Sequence, residues 1–396
     1  MVQPLSRRHF LGLSACSLAT AGLAPLLGAA GAARAQLPPP VPGMDAPGAV
    51  LLNYNENPLG PFPEAREAAV QAMDHAHRYL FGLQHEFTAL FAEKHGVDPR
   101  HVAAYCGSGV ALDAAALAFT GPEAALVTAD PTFETLAQMA GAHGARVVRV
   151  PLRSDGAHDV EAMAAAAAKN GAGLVYVCNP NNPTGSTTPR AGLEWLLANK
   201  PATSIVVVDE AYIHYSDEAD LLDLVRDGRE DLVVLRTFSK IYGMAGLRLG
   251  AAVAHPSLLQ KLVLQGVNSL PVPAVAAGMA SLQHPGHLAT RKADNSRLRQ
   301  ETVDWLATRG HACLPSQANC FMVDVHGDGR TFGAAMAKHG VFVGRSWPSM
   351  PRHVRVTVGT AEEMARFREA FEKVRAGSRS PDQVPDALRL SGLRGE

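Results

Sequence analysis

Short apolar runs rich in β-branched residues recur along this chain at Ala125–Thr128, Arg146–Val150, Leu174–Val177, Ile205–Val208 and Leu232–Leu235. Helical stretches lie between several of them. One spans Asp159 to Lys169, with an aspartate placed to cap its start and Gly171 placed beyond its end. A strand that is apolar throughout, rather than alternating, is buried on both faces, and that happens in parallel sheets covered by helices. The spacing therefore predicts an α/β fold with a mostly parallel, doubly wound sheet. After about residue 265 the pattern changes. Shorter strands at Cys320–Val325, Val341–Gly344 and Val354–Val358, with helices around 290–308 and 361–375, predict a smaller α+β domain.

Open α/β sheets bind ligands beyond the carboxyl ends of their strands, so the residues ending each run carry the chemistry. Ser204-Ile-Val-Val-Val-Asp-Glu-Ala-Tyr212 delivers Asp209 to that edge, where a carboxylate can keep a pyridine nitrogen protonated. Gly173-Leu-Val-Tyr-Val-Cys-Asn-Pro-Asn-Asn-Pro-Thr-Gly185 delivers Asn182, whose amide can donate to a phenolate oxygen. Thr237-Phe-Ser-Lys-Ile-Tyr-Gly-Met-Ala-Gly-Leu-Arg248 delivers Lys240. Burial there disfavours the ammonium and lowers the amine's pKa, which suits Schiff-base formation with a carbonyl cofactor such as pyridoxal phosphate. Thr237, Ser239 and Arg248 offer the two hydroxyls and the guanidinium fork that a phosphate monoester needs. Upstream, His101-Val-Ala-Ala-Tyr-Cys-Gly-Ser-Gly-Val110 passes from a short strand through a glycine turn into an alanine-rich helix. Gly107, Ser108 and Gly109 there present free backbone N–H groups to an anion.

Asn-Pro-Asn-Asn-Pro-Thr-Gly, Val-Asp-Glu-Ala-Tyr and Thr-Phe-Ser-Lys, in that order, resemble the pyridoxal-phosphate-dependent aminotransferases of fold type I. Leu52-Asn-Tyr-Asn-Glu-Asn-Pro-Leu-Gly60, Ala245-Gly-Leu-Arg-Leu-Gly250 and Val354-Arg-Val-Thr-Val-Gly-Thr360 narrow the likeness to the histidinol-phosphate aminotransferase-like branch. The similarity runs from about residue 50 to about 375. It implies a transaminase that moves an amino group between an amino acid, or an amino-phosphate, and a 2-oxo acid. By resemblance, Lys240 binds the cofactor and shuttles the proton, Asp209 pairs with the pyridine nitrogen, and Tyr212 and Asn182 hold the phenolic oxygen. Phe133 occupies the ring-stacking position, and Ser108, Gly109, Thr237, Ser239 and Arg248 line the phosphate.

Tyr79 matches the tyrosine that reaches the phosphate of a partner subunit, which implies a homodimer. Arg355 matches the arginine that binds the substrate's carboxylate or phosphate, and Arg345 matches a second anion-binding arginine. Asn57 stands where some members offer a substrate-facing tyrosine. His77-Arg-Tyr-Leu-Phe lacks the proline usual after the tyrosine, and Gly109-Val110 replaces the usual Asp-Glu. Relatives resembling threonine-phosphate decarboxylase share the cofactor motifs, so decarboxylase or lyase chemistry is the rival within the fold. A non-enzymatic periplasmic binding protein is the rival outside it, disfavoured by the full set of reactive residues.

The 36 basic and 37 acidic residues nearly balance, which argues against nucleic acid or an anionic membrane surface as partner. Residues 1–35 stand apart. Ser6-Arg7-Arg8-His9-Phe10-Leu11 resembles a twin-arginine export signal, followed by a weakly apolar stretch and the small-x-small site Ala33-Arg-Ala35. The stretch is too short and too rich in Gly, Ala and Ser for a stable membrane anchor. Export implies a periplasmic enzyme that meets the twin-arginine machinery already folded and loaded. Histidine biosynthesis, being cytoplasmic, is set apart from such an enzyme. The expected organisation is a signal peptide over 1–35, a proline-rich linker over 36–48, and a segment over 49–75 joining the small domain. A large cofactor domain over 76–264, a small domain over 265–375 and a polar, disordered tail over 376–396 complete it. A helical reading runs from about 64 to 95. Cys106, Cys178, Cys313 and Cys320 read as free thiols, and Asp74-His75-Ala-His77 reads as a solvated helix end rather than a metal site.

Overall fold

The computed structural model describes residues 42–266 and 269–378. The export motif, its cleavage site and most of the proline-rich linker lie outside the described residues. Most of the polar tail does too, although the last helix, Ala361–Ser378, continues past 375.

Eleven strands are present among the described residues: β1 (Val50–Leu52), β2 (Val102–Tyr105), β3 (Ala125–Asp130), β4 (Val147–Pro151), β5 (Ala172–Cys178), β6 (Ile205–Asp209), β7 (Leu232–Thr237), β8 (Gly250–Ala254), β9 (Cys320–Asp324), β10 (Val341–Val343) and β11 (His353–Thr357). Seven form one sheet in the order β2-β8-β7-β6-β5-β3-β4. The run from β7 to β4 is parallel throughout, and β8 pairs antiparallel with both β7 and β2. β5, β6 and β7 are buried almost end to end, which is why their sequences read as unbroken apolar runs. The helix Val160–Asn170 begins as its sequence predicts. The Asp159 carboxylate accepts from the N–H of Ala162 at 3.0 Å, and Gly171 closes the helix in the left-handed region.

Two elements depart from the sequence expectation. β8, Gly-Ala-Ala-Val-Ala, has no strand signature of its own, and its place between two partners makes it a strand. The helical reading over 64–95 breaks into Pro63–Ala72 and Phe81–His95, separated by an exposed turn in which Leu80 takes φ +43.

Two apolar clusters organise the described residues. The larger surrounds the seven-stranded sheet. The smaller gathers β1, β9, β10 and β11 with the last helix, through Leu52, Phe321, Val354, Val356, Phe367 and Phe371. The segment after residue 49 serves both, since Val50 and Leu52 enter the smaller cluster while Phe62 and Ala65 enter the larger. The helix Val272–Gln283 also joins the larger cluster, through Ala274, Val275, Ala277 and Leu282, so that core reaches past the expected boundary at 264. Its small residues allow the close approach. A Cβ on Gly278 would collide with the Leu249 side chain.

Candidate active site

The carboxyl ends of β5, β6 and β7, the turn after β2, and β11 converge on a cavity of about 320 Å³. The strands β6, β7 and β11 contribute through alternation. Asp209, the last residue of β6, lines the cavity, while the next residue, Glu210, turns to the other side. There Glu210 pairs with Arg236 of β7 at 2.9 Å, and Arg236 also pairs with Asp220 at 2.7 Å. Arg236 and Glu210 are only 3% and 2% exposed, so the pair ties the ends of β6 and β7 together beneath the cavity. Thr237 follows Arg236 and faces the cavity again.

Asp209 is 3% exposed. Burial pushes its carboxyl up to about 6, against the N–H of Ala211 (3.1 Å) and the hydroxyl of Tyr176 (3.2 Å), which favour the carboxylate. Lys240 donates to the carbonyls of Asn55 (3.0 Å) and Tyr54 (3.4 Å), and its Nζ lies 5.5 Å from the centre of the Tyr212 ring. Burial, reinforced by the positive charge of Arg355, lowers its amine to about 8. An amine so depressed is partly uncharged near neutral pH and therefore nucleophilic.

Anion-binding groups sit at two places. At one, Arg248 donates to Ser239 Oγ (3.3 Å), to the Ala245 carbonyl (3.0 Å) and to the Cys106 carbonyl (3.4 Å), with no carboxylate partner among the described residues. Thr237 Oγ1 donates to Ser239 Oγ at 3.0 Å beside it, and Ser108 and Gly109 open the helix Ser108–Phe119 on the same side. Gly107 holds φ +86, and a Cβ there would collide with the Arg248 guanidinium, so the turn needs glycine to admit the arginine. Two hydroxyls, a guanidinium without an acid, and a helix start make a cradle suited to a phosphate monoester.

At the other place, Arg355 donates to Asn182 Oδ1 at 2.7 Å and to the carbonyl of Asn53. With Oδ1 engaged, the amide nitrogen of Asn182 is left to donate to another acceptor. Arg355 reaches the cavity because β11 alternates: Val354 and Val356 are buried in the smaller cluster, and Arg355 points the other way. Tyr212 accepts from Asn55 Nδ2 at 3.1 Å, and burial holds its phenol well above the ordinary value. Phe133 completes the wall.

Three residues singled out in the sequence do not line this cavity. Tyr79 is 70% exposed and stacks on Phe81, with ring centres 5.6 Å apart. Asn57 donates to the Ile241 carbonyl at 3.0 Å and lines a neighbouring cavity with Tyr215. Arg345 pairs with Glu134 and lies over the Trp347 ring. The structure also brings in residues that the sequence reading passed over. Tyr54, Glu56 and Cys178 line the cavity, Asn55 bonds Tyr212, and Tyr176 bonds Asp209. Tyr176 had one available signal, since it sits mid-strand in a fully apolar run where a hydroxyl needs a partner. All four cysteines among the described residues are free thiols.

Residues 47–371 match the family aminotransferase class I and II, and the chain belongs to it. It is a pyridoxal-phosphate-dependent transaminase, with the fold type I architecture that its α/β sheet displays. It is 37% identical to an aromatic amino acid aminotransferase of Rhodococcus jostii, over 84% of this chain and 92% of the relative. It is 35% identical to a histidinol-phosphate aminotransferase of Moorella thermoacetica, over 83% and 86% respectively. The crystal structure of the histidinol-phosphate aminotransferase from Sinorhizobium meliloti, in complex with pyridoxal 5′-phosphate, superposes with a TM-score of 0.78 at 28% identity, covering 83% of this chain and 91% of that one.

Proposed function

We propose that this transaminase acts on α-amino acids with aromatic, uncharged side chains. The observation behind the reading is Arg355, a guanidinium in the cavity wall that, among the described residues, bonds only neutral oxygens and so remains available to an α-carboxylate. Phe133 supplies aromatic surface in the cavity wall, and the buried Trp347, its ring centre 5.5 Å from the Arg355 guanidinium, backs that arginine. The likeness to aromatic amino acid aminotransferases agrees with this choice.

The residues present fit the cofactor. Arg248, Ser108, Gly109, Thr237 and Ser239 would hold its phosphate, Asp209 its pyridine nitrogen, Asn182 and Tyr212 its phenolic oxygen, and Phe133 its ring face. When bound, pyridoxal phosphate supplies an electron-withdrawing ring that stabilises negative charge at the substrate's Cα. Asp209 keeps the ring nitrogen protonated. Lys240 Nζ would carry the proton between the substrate's Cα and the cofactor carbon bonded to the transferred nitrogen. Arg355 fixes the carboxylate and, through Asn182, ties substrate position to cofactor position.

The enzyme works as a homodimer in this reading, supported by apolar side chains left exposed along one segment: Leu59, Val70, Met73, Tyr79 and Phe81 are each more than half exposed. It is exported by the twin-arginine route to the periplasm, on the strength of Arg7, Arg8 and the Ala33-Arg-Ala35 site. Purified holoenzyme incubated with single amino acids should convert phenylalanine or tyrosine to the matching 2-oxo acid, identified by mass spectrometry. Release of carbon dioxide, or reaction with histidinol phosphate alone, would overturn the reading. Light scattering that returns a monomer mass would remove the dimer.

A further inference from the structure

Two guanidinium groups approach one indole. The Arg345 guanidinium carbon lies 4.4 Å from the Trp347 ring centre and that of Arg355 lies 5.5 Å from it, while Trp347 is 4% exposed. The two arginines come from the same stretch of the small domain, between β10 and the middle of β11. Their surroundings differ in charge. Among the described residues Arg355 meets only neutral acceptors, whereas Arg345 is ion-paired with Glu134, the residue directly after the cavity-lining Phe133. A second bond joins the same two segments, Ser349 Oγ donating to Asp130 Oδ1 at 2.9 Å. With Arg248 given to the cofactor phosphate, a substrate meets Arg355 uncompensated in the cavity wall and, next to the segment that carries Phe133, Arg345 already neutralised.

We infer that Glu134 determines specificity: by neutralising Arg345 beside Trp347, it confines the enzyme to substrates with one anionic group. Substrates with a second anion, a side-chain carboxylate or a phosphate ester, are disfavoured. The inference rests on the reading above that Arg355 receives the α-carboxylate. A second anion approaching the rim must either displace Glu134 from Arg345 or sit beside a carboxylate of like charge, and both oppose binding. A neutral ring meets no such opposition. Glu134 acts through Arg345 and touches no reacting atom, so it is a positioning residue that sets the charge of the site.

Glu134→Gln keeps the shape and removes the charge. Two measurements on the holoenzyme test it. Inorganic phosphate, titrated without substrate and followed by tryptophan fluorescence, should bind Glu134→Gln about fivefold or more tighter than the unsubstituted protein. The ratio of kcat/KM for glutamate or histidinol phosphate to that for phenylalanine should rise about tenfold, through KM, and fall back in the Glu134→Gln/Arg345→Gln double variant. Unchanged phosphate affinity together with an unmoved ratio overturns the role of Glu134. Tighter phosphate binding in an enzyme that transaminates no aromatic amino acid upholds the charge filter and rejects the aromatic-substrate reading, so the two failures are distinguishable.

Discussion

With the cofactor removed, the free amine of Lys240 should make the protein's stability depend on pH in a way that Lys240→Met abolishes. The amine drops from an ordinary 10.5 to about 8 on folding, chiefly through burial and then through Arg355. A folded state with the lower lysine pKa binds fewer protons than the unfolded chain. It therefore carries a penalty that is full below about pH 8 and fades as pH rises towards 10.5. A gap of about 2.5 units corresponds to roughly 3.4 kcal/mol at 1.36 kcal/mol per unit. Lys240 is half-buried and opens onto a solvent-accessible cavity, so screening reduces that to about 1.5–2 kcal/mol. Methionine also loses the bonds to the Asn55 and Tyr54 carbonyls, each worth about 1 kcal/mol, which offsets part of the gain near neutrality. The telling quantity is the change with pH. The stability of Lys240→Met relative to the parent should fall by about 1–1.5 kcal/mol between pH ~7 and ~10. Urea unfolding followed by circular dichroism measures it directly. A difference that stays constant across that range would show an ordinary amine, and the argument from burial would be wrong.

Asp209→Ala should lower kcat by about a hundred- to a thousandfold, since it removes the charge that keeps the ring nitrogen protonated; single-turnover kinetics check this, and activity within tenfold of the parent excludes the role. Arg355→Lys should raise KM for the amino acid roughly ten- to a hundredfold, one charged hydrogen bond of a fork being worth about 1.5–3 kcal/mol, while cofactor content stays the same. Loss of cofactor with KM unchanged would mean that Arg355 and Arg248 have exchanged duties. Replacing Arg7 and Arg8 with lysine should leave a folded, cofactor-loaded enzyme in the cytoplasm with its N-terminus uncleaved, as fractionation and mass spectrometry would show. Unchanged periplasmic recovery would point to another route.

The parallel strands were legible because a strand buried on both faces has no polar positions until it ends. The polar residues that close such a run, Asp209 at the end of β6 or the stretch from Arg236 to Lys240 at the end of β7, therefore announce themselves. β8 was not legible. Gly-Ala-Ala-Val-Ala has little strand preference, and its neighbours β7 and β2 decide its state. The break around Leu80 was hidden in the same way, because helical composition continues on both sides of it.

By itself, the sequence determined the α/β class, the order of the strands along the chain and the reactive types at their carboxyl ends, since these follow from local burial and period. Tertiary structure decided what lies across from them. Lys240 meets the carbonyls of residues 54 and 55, Arg355 meets Asn182, and Arg345 meets Glu134 rather than an open cavity. These partners lie between 173 and 211 positions apart, and no local pattern of polarity encodes a pairing over that distance. The depressed amine of Lys240 and the raised carboxyl of Asp209 belong to the same category, because desolvation is a property of the assembled cavity and of no single stretch of chain.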